Sequence, residues 1–131
     1  MRLLIIAAAL LTLSSCSGRK DPVSTSSDPG KAALTYYGYL ADKEYEQYVG
    51  AMLLGDSLPQ SYRADMTAVI KCYVEREERE KGGIKDVTLS SVRKAADGNS
   101  AKVLLNIQFG DSIKEEVLLS LVQKDNRWFI R

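Results

Sequence analysis

The chain has 131 residues, 18 of them basic and 17 acidic, with no histidine and only two cysteines. Balanced charge argues against a nucleic-acid partner, which selects a basic face. The missing histidine removes the usual general base, the usual zinc ligand and any Ser-His or Cys-His nucleophile pair, so no catalytic group, metal or cofactor is expected.

Arg2 gives a positive start, Leu3 to Leu13 are almost wholly apolar, and the small residues Ser14 and Ser15 precede Cys16. An apolar run too short to span a bilayer, ending in small residues, reads as a secretory signal over residues 1–15 rather than a transmembrane helix. Leu13-Ser14-Ser15-Cys16 also resembles the bacterial lipobox. That resemblance implies cleavage between Ser15 and Cys16, a diacylglyceryl thioether on Cys16, and acylation of its new amine, with palmitate for instance. Each buried acyl carbon contributes ~0.8 kcal/mol, so several chains hold a protein on a membrane almost permanently. The expected address is the cell envelope, at the outer membrane and facing the periplasm. Ser17 is not the aspartate that retains many lipoproteins at the inner membrane in some bacteria, and no acidic cluster of the surface-exposed kind follows Cys16. Arg2 is the only charge in the removed segment, so 116 residues remain, with 17 basic and 17 acidic side chains. That is enough for one domain and too little for two. With Cys16 modified, Cys72 is the last thiol and no internal disulfide can form.

Residues 16–27 are polar and rich in serine, and they read as a flexible tether. Order begins at Asp28-Pro29, an N-cap with proline at the first helical position, followed by Ala33, Tyr36, Tyr37 and Leu40 at helical spacing. Asp42 is placed to cap a short second helix carrying Tyr45, Tyr48, Val49 and Met52 on one face. Gly55-Asp56-Ser57 breaks the pattern. After Pro59 a longer helix sets Tyr62, Met66, Val69, Ile70 and Tyr73 on one stripe. It ends in a charged run (EREEREK) read as solvated, and Gly82-Gly83 stops it. The period then changes from 3.6 to 2. Ile84 to Ala95 forms a first strand, and Ala101, Val103, Leu105, Ile107 and Phe109 mark the inward face of a second. Ser112 to Gln123 and Arg127 to Arg131 follow as two more, separated by short turns. Three helices followed by a four-stranded antiparallel meander make an α+β domain over residues 28–131, the helices packed on one sheet face.

The second half is similar to a known pattern. It is carried by Glu80-Lys81-Gly82-Gly83-Ile84, Ala101 and Val103, Phe109-Gly110-Asp111, and the run from Leu121 to Trp128. These resemble small bacterial lipoproteins of unknown function in the nuclear-transport-factor-2-like, or cystatin-like, superfamily, sometimes grouped with lumazine-binding-like domains. The resemblance covers residues 28–131 and implies a curved sheet wrapped by helices into a cone with a pocket. Asp125-Asn126 stands where Asp-Gly is usual, a mild departure because asparagine tolerates positive φ. These positions are turns and core, and they specify fold rather than chemistry.

All seven tyrosines fall between Tyr36 and Tyr73, on the three helices. Tyr36, Tyr37, Tyr45, Tyr48, Tyr62 and Tyr73, with Trp128, are therefore the residues that could line a pocket and stack on a flat ligand. The competing reading is half-buried rings with wet hydroxyls, and Trp128 as a core plug. Two functions follow. One is a non-catalytic envelope binding module for a small ligand or an envelope protein. The other is a small isomerase- or dehydratase-like enzyme using Tyr62 and Asp65, the nearest imitation of the acid-and-tyrosine pairs of some superfamily enzymes. Cys72, among apolar neighbours, reads as a buried inert thiol. Strand three is apolar on both faces, leaving Leu104, Leu118, Val122 and Phe129 on the side away from the helices, a stripe suited to an interface. Superfamily members often dimerise through that face, so a homodimer is implied.

Overall fold

A computed structural model describes residues 23–24, 27–53 and 57–131. Ser15, Cys16 and the Gly55-Asp56 break lie outside these described residues. Asp28 accepts a hydrogen bond from the Gly30 amide at 2.8 Å and opens α1 (Pro29–Ala41), as an aspartate before proline should. Asp42 does not cap the second helix. It is the C-cap of α1, its amide donating back to the Gly38 carbonyl, and Lys43 then turns through a left-handed φ of 60°. Glu44 precedes the short α2 (Tyr45–Gly50) without a side-chain cap. Met52 lies past the end of α2, in a parallel bridge to Ile130, where Ala51 and Leu53 exchange backbone hydrogen bonds with that strand residue.

The third helix, α3, runs from Gln60 to Lys81 and stops at Gly82, which adopts φ 80°. Its inward residues are Met66, Ile70, Tyr73, Val74 and Glu77, at steps of four, three, one and three. Tyr62 and Val69 were expected on the same stripe, yet they are 53% and 67% exposed. Val69 sits between the inward Met66 and Ile70 and points away from the side of α3 that packs. Cys72 is exposed as well, so the expectation of a buried thiol is corrected.

Four antiparallel strands follow in the order β1 (Ile84–Lys94), β2 (Ser100–Phe109), β3 (Lys114–Lys124) and β4 (Arg127–Ile130). Register shifts at Ile84/Asp86 and Leu89/Ser91 bend β1 as bulges do. Asp125 and Asn126 make the last turn with φ of 53° and 61°, the left-handed pair that a two-residue hairpin demands. Ala101, Val103, Leu105, Ile107 and Phe109 are all buried, as their alternation requires, and α1 lies against β1, β2 and β3. The architecture is α+β, with helices followed by one open antiparallel sheet. No described helix is long and apolar enough to cross a membrane.

The stretch read as a tether is docked where it is described. Val23 is buried, the Ser24 amide donates to the Tyr36 hydroxyl at 2.9 Å, and the Ser27 carbonyl accepts from Trp128 Nε1 at 3.0 Å. A single valine in a polar run gives no period, which is why composition missed it.

Candidate functional site

The tyrosines of the core are used for packing. Tyr36 is fully buried, its ring 6.2 Å from that of Tyr39 and its hydroxyl donating to the Trp128 carbonyl. Trp128 is 1% exposed and plugs the core beneath it. Tyr37 and Tyr48 are buried beside α3, and the Tyr37 and Tyr73 hydroxyls meet at 3.1 Å. Burial is the main reason the Tyr37 phenol is pushed well above its ordinary value, with the Tyr73 hydrogen bond adding to it. Burial also pushes Tyr48 up to about 12. These phenols stay neutral through the physiological range.

The charged end of α3 is not wholly solvated, as had been expected. Glu77 is 5% exposed and pairs with Lys81 at 2.9 Å, and Lys81 reaches Glu115 on β3 at the same distance. Hydrogen bonds to Glu115 first and Glu77 second raise the Lys81 pKa, and its ammonium stands 4.8 Å from the Phe109 ring centroid. The arrangement ties α3 to the sheet and leaves no group free for chemistry.

Tyr36, Tyr37, Tyr48, Tyr62 and Trp128 are absent from the lining of four of the surface hollows formed by described residues. Tyr45 and Tyr73 each border one, at the start of α2 and beside Cys72 respectively. Tyr62 and Asp65 are exposed on the outer part of α3, away from any enclosed space that could tune them. Among the described residues no three His, Cys, Asp or Glu side chains gather where a metal ion could sit.

The remaining feature is the open sheet face. Leu118 is 56% exposed in the middle of β3, directly across from Leu104 on β2, and Val122 pairs with Phe129 on β4. Leu104, Val122 and Phe129 are partly exposed, so the four form an apolar stripe interrupted by Lys102 and Asn106.

Comparison with known proteins adds the fold. No protein-family model matches the chain, and no curated protein does. A crystal structure from Campylobacter jejuni, titled an NTF2-like transpeptidase, superposes with a TM-score of 0.64 at 17% identity, covering 79% of this chain and 96% of that one. The fold is nuclear-transport-factor-2-like. The solution structure of a SEC-C motif containing protein from Rhodopseudomonas palustris gives a TM-score of 0.50 at 13% identity, covering 86% and 77%. At such identities the likeness is one of architecture, and chemistry has to come from this chain's own residues.

Proposed function

We propose that this chain is a lipid-anchored, non-catalytic binding module of the bacterial cell envelope. It is tethered through acylated Cys16 at the outer membrane, faces the periplasm and works through its outer surface. The observation that carries this reading is the exposed apolar stripe centred on Leu118, on a fold whose interior is filled by its own aromatic rings. A solvated strand should alternate, and β3 does not. The docking partner is a second copy of the chain or another envelope protein, and a small ligand is held at the surface rather than inside the cone.

The alternative enzyme would use Tyr62 and Asp65. Its geometry is weak, because both side chains are exposed to water. The name of the Campylobacter protein is not carried over either. The sequence has no histidine to activate the exposed Cys72.

The anchor is tested by the mass of the N-terminal peptide of protein extracted from the membrane fraction. The peptide should begin at Cys16 and carry a diacylglyceryl group. An unmodified Cys16, or cleavage at another bond, removes the anchor from the proposal.

A further inference from the structure

Four cations crowd one end of the sheet, although the sequence as a whole is almost neutral. Arg93 and Lys94 end β1, Lys102 begins β2, and Arg131 follows β4, all four exposed around a hollow of about 360 Å³. The register makes the arrangement specific. Arg93 stands directly across from Lys102, Lys102 directly across from Ser120, and the Arg131 amide donates to the Ser120 carbonyl at 3.0 Å. The row thus crosses all four strands, spanning ~14 Å at the usual strand spacing. Ser100, two residues before Lys102 on the same side of β2, adds a second hydroxyl.

Like charges directly opposite each other on a sheet are destabilising, so an Arg–Lys pair here needs an explanation. No described carboxylate forms an ion pair with any of the four. Asp97, the acid nearest in sequence, turns a carboxylate oxygen to the Asn99 amide at 2.9 Å within its own tight turn. Arg93 and Arg131 present planar forks that match phosphoryl oxygens, Lys102 adds point charge, and two serine hydroxyls add neutral donors, while Lys94, across from buried Ala101, borders the hollow from the other face. The volume is at the lower end of ordinary small-ligand sites.

We propose that this hollow binds a phosphate group, either on a soluble phosphate ester or on an anionic lipid headgroup. A carboxylate would neutralise one cation and leave the rest facing one another, whereas a phosphoryl group offers three oxygens for several cations at once. The site stands on its own residues and holds whether or not two copies pair or Cys16 is acylated.

The test is thermal unfolding of the full chain in neutral-detergent micelles, with pyrophosphate, with potassium chloride at matched ionic strength, or with phosphatidylglycerol doped into the micelles. The melting midpoint should rise by about 5 °C in the presence of the anion at well above its Kd, and by much less in chloride. In the Arg93→Gln/Lys102→Gln double variant the rise should vanish. The anion-free midpoint of that variant should equal or exceed that of the natural chain, because the repelling pair is gone. Arg131→Gln, at the end of the row, should lose part of the rise. A response to pyrophosphate alone assigns a soluble ester, and a response to phosphatidylglycerol assigns a headgroup. No rise beyond that in chloride with either additive, or an equal rise in the double variant, overturns the proposal.

Discussion

Tyr36 joins three distant pieces of chain. Its hydroxyl accepts from the Ser24 amide and donates to the Trp128 carbonyl, while its ring fills the core. Tyr36→Phe keeps the ring and strands a buried carbonyl, which costs about 1–3 kcal/mol. Urea unfolding should show that loss, and Tyr62→Phe, at an exposed position, should change stability by less than ~0.5 kcal/mol. The buried phenols also set an alkaline limit. In the folded state Tyr48 titrates at about 12 against 10 for a free phenol, and Tyr37 moves in the same direction. The unfolded chain therefore releases protons that the folded chain keeps, so their stabilising effect is whole below pH 10 and declines as pH climbs through 12. Lys81, also raised, declines over the same region. Urea midpoints measured from pH 9 upward should fall beyond pH 10, and the fall should be shallower in Tyr37→Phe/Tyr48→Phe.

The end of α3 and the β2–β3 turn approach each other closely. The Gly110 amide donates to the Gly83 carbonyl and the Asp111 amide to that of Lys81, and a Cβ at Gly110 would strike the Gly82 carbonyl oxygen. Gly110→Ala should therefore destabilise the fold by about 1–3 kcal/mol, read as a lower urea midpoint with an unchanged slope. Gly30 is a gentler case, with its Cβ position 3.0 Å from Leu89 Cδ2 and 3.1 Å from Val92 Cγ2, where α1 crosses β1. The strands were the most legible part of the sequence, because β2 places an apolar residue at every second position from Ala101 to Phe109 and the turns beside it carry Asp, Gly and Asn at the right offsets. The helices were legible in number and less so in detail. Lys43, not a glycine or asparagine, takes the left-handed position that ends α1, and residue type gives no warning of that. The surface fate of Val69 and Cys72, which alternate with inward Met66, Ile70 and Tyr73, depends on which side of α3 is turned to the core, a matter of tertiary geometry. The cationic row was invisible for a related reason. Arg93, Lys102 and Arg131 are far apart in sequence and meet only through strand register.

For the whole molecule, the seven tyrosines that suggested a ligand pocket mostly became the means of closing one. Tyr36, Tyr37, Tyr39 and Tyr48 are buried in the core among the described residues. The proposed binding surfaces, the apolar stripe and the cationic hollow, both lie on the outside of the sheet. The open sheet face is proposed to pair with the same face of a second copy of the chain. Static light scattering on residues 17–131, which keep Val23 and Ser24 in place, measures it directly. At tens of micromolar the mass should be that of a dimer, and Leu118→Glu, which sets a carboxylate in the middle of the stripe, should return it to a monomer of unchanged melting midpoint. A natural-sequence chain that stays monomeric at high micromolar concentration, or a dimer indifferent to Leu118→Glu, would contradict self-pairing through this face.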